Sequence, residues 1–405
     1  MIKKDSLKAK IICFVFFVLI LFSLETASRL FFPETLLDKI ILVLKQDPLL
    51  FWRQKPNINM NFQGCEVATD GLGLRNKARA MAKKPGTIRI ICMGASPTFG
   101  WGVNYESTYP RQLEKLLNHS RKNHFEVINA GIIGYSSYQG LNFLKNEIVR
   151  LDPDIITVSY VLNDIDKYRF FRSNGIPDKQ LKPENRFIID VANFLYQSRF
   201  IRILQKFCYY INRPEALYSP GQSRVPPSDY QKNLQDFIDF SSKKGIKIIF
   251  VKMPVNLPLP EQVAEPKKLE SKIYFDQALA ALASNRFDTA INILLKSIRD
   301  DPYLNDVYYY LGICYKKKGE PGIARSYFKK AKEKEVFRCA REGQLYNRIM
   351  EDVAEKNHVP LVDVVSAFGR NNGEYLFVDP KHDPIHPNAI GHKIIGLAIY
   401  DTLTK

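Results

Sequence analysis

Four short stretches hold the side chains on which chemistry can turn: Gly94-Ala95-Ser96-Pro97, Ala130-Gly131-Ile132-Ile133-Gly134, Val161-Leu162-Asn163-Asp164 and Asp383-Pro384-Ile385-His386-Pro387. An alcohol, an amide, and an imidazole three residues from a carboxylate are groups from which serine-nucleophile chemistry is assembled. Each stretch alone has a plainer reading. Ser96-Pro97 suits a helix N-cap followed by proline at the first helical position. Asn163-Asp164 suits a turn or cap, and the Asp-Pro-x-His-Pro stretch suits a loop. Their joint occurrence, in this order and each just past a strand-like run, makes them a candidate site.

Those runs are the elements that must position the site. Residues 87–93 (TIRIICM), 125–129, 154–160 (DIITVSY), 247–253 and 360–365 are apolar and rich in β-branched side chains, which predicts strands. Helix-length stretches over 110–118, 140–150, 229–244 and 344–356 separate them. The alternation predicts a doubly wound α/β domain, its five-stranded parallel sheet covered by helices on both faces. An open sheet of this kind leaves its crevice at the carboxyl ends of the strands, where all four stretches fall.

Outside this domain the chain carries two further signals. Lys3, Lys4, Lys8 and Lys10 precede an unbroken apolar run over 11–22, and Leu24, Ala27, Leu30 and Phe31 extend it. A helix to Leu24 rises about 20 Å, and the extension completes the roughly 30 Å of a bilayer core. Glu25 spoils a small-x-small cleavage site, so residues 1–32 read as a lysine-rich cytoplasmic end plus a signal anchor, with a cleaved signal peptide as the alternative; on either reading the rest of the chain is exported. Residues 33–86 lack clear periodicity and, with prolines at 48, 56 and 85 marking turns, read as a collar. The α/β domain then falls in two parts, 87–265 and 340–405, around an insertion at 272–335. There a 34-residue shift brings Tyr274 onto Tyr308, Ala278 onto Gly312, Ala290 onto Ala324 and Leu294 onto Phe328. This pattern resembles two tetratricopeptide repeats, an array short enough to need support from the α/β domain or from a protein partner.

Composition narrows the classes. The chain has 405 residues, 45% apolar and 25% charged, which excludes a disordered, collagen-like or polytopic membrane protein. Its six cysteines form no C-x-x-C pair, so a disulfide scaffold, a zinc ribbon and a thioredoxin-type motif are not expected; Cys314 and Cys339 remain a candidate pair for an oxidising compartment. His382, His386 and His392 with Asp379 make a weak metal cluster, because Pro384 and Pro387 exclude a helix that would align the histidines. No metal or other cofactor is expected. The net charge of +17 suits anionic lipid or acidic glycan. The lysines at 316–318 and 329–334 read as solvated helix faces, and without a nucleic-acid motif no nucleic-acid partner is expected. Trp101, Tyr135 and Tyr160 suit either a cleft for sugar rings or core packing.

Taken together, residues 87–165 and 360–403 resemble the SGNH (GDSL-type) hydrolase superfamily, with all four signature blocks recognisable. Phe99-Gly100-Trp101-Gly102 and His386-Pro387-Asn388-x-x-Gly391-His392 also resemble membrane-anchored bacterial members. Two positions depart from the pattern: Ala95 stands where an aspartate usually precedes the serine, and Val161 where a glycine precedes the asparagine. The resemblance implies a flavodoxin-like fold with Ser96 as nucleophile, His386 as its base and Asp383 orienting the ring. It also implies an oxyanion hole from the amides of Ser96 and Gly134 and the Asn163 side chain. Pro97 fits this set, since an α/β-hydrolase elbow takes an oxyanion N–H from the residue after the serine and proline has none. The expected activity is ester hydrolysis through an acyl-enzyme at the outer face of the inner membrane, on acetyl or other acyl esters of cell-envelope glycans. O-acyl transfer by the same triad, or a non-catalytic assembly role resting on the repeats, are the alternatives.

Overall fold

A computed structural model describes residues 2–76, 82–120, 124–172, 175–212, 221–254, 268–302, 304–371, 373–379 and 383–404. The β-branched runs form strands β1 (Thr87–Gly94), β2 (His124–Gly131), β3 (Ile155–Ser159), β4 (Lys247–Lys252) and β5 (Leu361–Asp363) of one sheet. All its pairings are parallel, in the order β2-β1-β3-β4-β5. The chain therefore leaves β1 for one neighbour and returns to the other, which puts a topological switch point at the end of β1. Register lines up Gly94 of β1 with Gly131 of β2 and Ser159 of β3.

Strand alternation sends Ile90, Cys92, Val127, Val251 and Val362 to one face. There they pack with Tyr109, Leu113 and Leu117 of helix Tyr109–Ser120 and with Ile395 and Ile399 of helix Ala389–Thr404. Helices Ser137–Asn146 and Pro227–Lys243 pack on one another and on the sheet, burying Leu141, Leu144, Leu234 and Phe237. Burying each such side chain contributes about 1.5–3 kcal/mol, so the layered core holds the strand ends firmly.

Several expectations change in detail. The fifth strand is shorter than 360–365, because the Asp363 carboxylate accepts from the Ser366 N–H and starts a helix at Val364. The collar is structured: it holds helix Leu36–Val43 and two hairpins, Leu44–Asp47 with Phe51–Gln54 and Asn59–Phe62 with Cys65–Ala68. Strands of four residues are too short to show a period. The helix expected at 344–356 is the last third of one unbroken helix, Pro321–Lys356, which runs through the 335–340 boundary.

The insertion holds helices Lys268–Ala283, Phe287–Asp300, Asn305–Lys317 and the start of Pro321–Lys356. Ala278, Gly312, Ala290, Ala324, Leu294 and Phe328, which the 34-residue shift pairs, are all buried. A Cβ on Gly312 would stand 2.5 Å from the Phe328 ring, so the hydrogen is what lets those helices meet. Cys314 and Cys339 are both free thiols; Cys314 belongs to the insertion core and Cys339 lies beside Arg338.

The chain divides into two units, Met1–Arg53 with Pro183–Ala216 and Gln54–Lys182 with Leu217–Lys405. The second holds the sheet and the insertion. In the first, helix Ile2–Phe31 contains a 24-residue stretch, Lys8–Phe31, long and apolar enough to cross a membrane.

Candidate active site

The end of β1 turns at once into the short helix Ser96–Phe99, with Ala95 at its N-cap and Pro97 at its second position. Ser96 is thus the first helical residue rather than the cap, and its hydroxyl is left for other work. Two glycines make the turn possible. A Cβ on Gly94 would stand 2.0 Å from Thr98 Oγ1, and one on Gly131 would stand 2.2 Å from the Phe99 amide. The turn is pinned below by Thr98 Oγ1, which lies 2.9 Å from Ser159 Oγ and accepts from the Tyr109 hydroxyl at 3.1 Å.

His386 Nε2 lies 2.8 Å from Ser96 Oγ. The other ring nitrogen, Nδ1, is 2.7 Å and 2.9 Å from the two Asp383 carboxylate oxygens. Asp383 and His386 sit on strand Asp383–Pro387 of a two-stranded hairpin, not in a loop. Residues three apart on a regular strand face opposite ways. Here the pairing with Phe377–Asp379 shifts register, and the Asp383 carboxylate folds back to accept the His386 N–H at 3.3 Å. Both side chains thereby reach the same side. Burial alone would raise the Asp383 carboxyl, but its hydrogen bonds and attraction to His386 outweigh that and hold it below the ordinary carboxylate range.

Gly134 and Asn163 meet at a neighbouring point of the rim. Asn163 Nδ2 donates to the Tyr135 carbonyl at 3.1 Å, immediately after Gly134, whose φ of +79° requires a glycine. The Gly134 carbonyl accepts from Arg224 Nη1 at 2.7 Å. Arg224 is itself held by Asp178, which also pairs with Arg169 at 2.8 Å and accepts from the Ser136 hydroxyl. A buried ion network of this kind fixes the loop that carries Gly134. Because β1, β2 and β3 end in register, the loops carrying Ser96, Gly134 and Asn163 leave from one level of the sheet.

Sequence reading missed the residues that hold this rim. Arg75, fully buried, donates to the carbonyls of Phe99, Gly100, Val103 and Glu66, and lies over the Phe99 ring at 4.7 Å. Its desolvation lowers its pKa to about 10. Nothing in its flanking sequence marks it. Trp101 stacks on His386, while Tyr135 and Tyr160 are buried in the core, so only the first of the three aromatics borders the site. His392 is buried with Nδ1 accepting from the Tyr109 amide; burial pushes its pKa down to about 3 and keeps it neutral. Among the described residues no three His, Cys, Asp or Glu side chains converge as a metal site; His382 lies outside those residues.

No protein-family model matches the chain, and no curated protein matches it. Solved structures do. An alpha/beta hydrolase enzyme from the metagenome of Lake Arreo is 17% identical, with a TM-score of 0.39, over 78% of this chain and 95% of that one. A lipase/acylhydrolase from Enterococcus faecalis is 12% identical, TM-score 0.36, over 78% and 94%. An acetylxylan esterase from Geobacillus stearothermophilus is 12% identical, TM-score 0.39, over the same shares. Likeness at this level is too slight to assign a function, so the reading of the site rests on its own geometry.

Proposed function

We propose that the chain is a serine ester hydrolase of the SGNH type, anchored in a membrane by its first helix. The observation that carries this reading is the contact of His386 Nε2 with Ser96 Oγ at 2.8 Å, with Asp383 on the opposite ring nitrogen. In the proposed reaction the Ser96 oxygen attacks the acyl carbon while its proton passes to His386 Nε2. The Asp383 carboxylate holds the ring in the tautomer that can accept and stabilises the imidazolium. The tetrahedral oxyanion takes hydrogen bonds from the amides of Ser96 and Gly134 and from Asn163. The Asn163 side chain has two N–H groups, so donation to Tyr135 O leaves one for the oxyanion. His386 then returns the proton to the departing alcohol, and water releases the acyl group by the same steps.

Acetyl esters of cell-envelope glycans are the proposed substrate class. An exported, tethered enzyme meets such polymers, and the net charge of +17 suits acidic ones. The helical insertion is proposed as the seat of a protein partner. A fluorophosphonate probe tests the chemistry: the wild type is expected to be labelled and Ser96→Ala is not, and an unlabelled wild type refutes the proposal. Product analysis on O-acetylated and bare glycans then identifies the substrate and distinguishes hydrolysis from transfer.

A further inference from the structure

Two helices of the first unit are built inside out. Helix Arg186–Leu195 turns Ile189 inward, and Asn193 bonds the Gln46 backbone in both directions at 2.8 Å and 3.1 Å. Its opposite face carries Phe187, Ile188, Val191, Phe194 and Leu195, spaced i, i+1, i+4, i+7, i+8 on one stripe; Phe187 and Phe194 are 75% and 77% exposed. Helix Arg199–Asn212 repeats the inversion. Arg202 points inward to pair with Asp38 at 3.3 Å, and Arg199 donates to the Phe32 carbonyl, while Leu204 and Phe207 face out. Arginines inside and phenylalanines outside is the reverse of a helix made for water.

The second of these helices is tied to the first helix of the chain at a definite depth. Glu25 caps helix Arg199–Asn212: its carboxylate accepts from the Ser198 hydroxyl at 2.7 Å and from the Arg199 and Phe200 amides at 3.1 Å and 3.0 Å. Ile11 to Leu30 supplies about 30 Å of helix, the thickness of a hydrocarbon core. Glu25 then lies about 7.5 Å inside its far end, within the roughly 5–10 Å at which interfacial helices ride below the headgroups. Leu30, Phe31 and Phe32, all exposed, continue the apolar surface at that level.

We infer that helices Arg186–Leu195 and Arg199–Asn212 lie in the bilayer interface beside the carboxyl end of the first helix, with lipid acyl chains covering their phenylalanine faces. This rests on the reading of the first helix as a membrane span. The chain then holds the membrane at a span and at a platform around it, which fixes the first unit against tilting.

The full chain, reconstituted in phosphatidylcholine and phosphatidylglycerol vesicles, tests this with single tryptophans at Phe187, Phe194 and Phe207, and one at Leu19 to report the span. The parent chain supplies the background from Trp52 and Trp101. With acyl-brominated lipid, Phe187→Trp, Phe194→Trp and Phe207→Trp are expected to lose their added emission, as Leu19→Trp does. Quenching at Leu19→Trp alone overturns the platform and leaves the span standing. No quenching at any of the four overturns the span and the platform with it. Emission that follows the protein-to-lipid ratio rather than bromination overturns the platform and assigns the face to a second copy of the chain.

Discussion

The Trp101 indole lies flat against the His386 imidazole, ring centres 4.9 Å apart and planes 14° from parallel. Trp101 is braced from behind by the edge of Phe62, and its loop is held by the Arg75 guanidinium. A Cβ on neighbouring Gly102 would stand 2.8 Å from Val378, so the loop also fits tightly against the hairpin that carries His386. This stack fixes the ring plane, which Asp383 alone leaves free to tip. Trp101→Ala is expected to lower kcat on p-nitrophenyl acetate by about 10–100-fold with a smaller change in KM. Trp101→Phe should recover most of it, and equal losses in both variants would show that stacking is not what matters.

Asn163→Ala removes the proposed third oxyanion donor and one bond to Tyr135 O. Turnover should fall about 10²–10³-fold, while stability to urea changes by only about 1 kcal/mol. Wild-type kcat in this variant would remove Asn163 from the site.

Asp383→Asn should lower kcat by about 10⁴-fold, because the amide favours the wrong imidazole tautomer. Fluorophosphonate labelling should slow in parallel, and stopped-flow labelling rates check this.

Asp164 provides a pH signature next to the site. Burial raises its carboxyl to about 7 despite bonds to Oδ1 from the Ser137 amide and hydroxyl. Its Oδ2 has no partner among the described residues. Between the ordinary carboxylate value and about 7 the folded chain binds a proton that the unfolded chain does not. The stabilisation is therefore complete below the ordinary value and is lost as pH rises through about 7. Melting temperatures should fall more steeply from about pH 5 to about pH 8 in the wild type than in Asp164→Asn. Parallel curves would show that Asp164 ionises freely.

In the insertion, Gly312→Ala should destabilise by about 1–3 kcal/mol through overpacking against Phe328. Adding Phe328→Leu should restore part of that loss, and urea denaturation of the two singles and the double variant measures the coupling.

The amino-acid sequence by itself determined the strand runs and the glycine turns that end them, and it singled out Ser96, Gly134, Asn163, Asp383 and His386 as candidates. Those features are local: β-branched runs build buried parallel strands, and an open sheet presents chemistry just past their carboxyl ends. The apolar stretch after the N-terminal lysines was equally legible, since the run over 11–22 with its extension to Phe31 is long enough to cross a bilayer. Tertiary structure decided the rest. Arg75 has no local signature because its partners are backbone carbonyls, those of Phe99, Gly100 and Val103 lying on a loop more than twenty residues away. Trp101 beside His386, Arg224 beneath Gly134 and Glu25 at the head of helix Arg199–Asn212 are likewise pairings across the chain. The inverted helices were illegible for a related reason: periodicity shows that a helix has an apolar face, but only packing shows which face is turned outward.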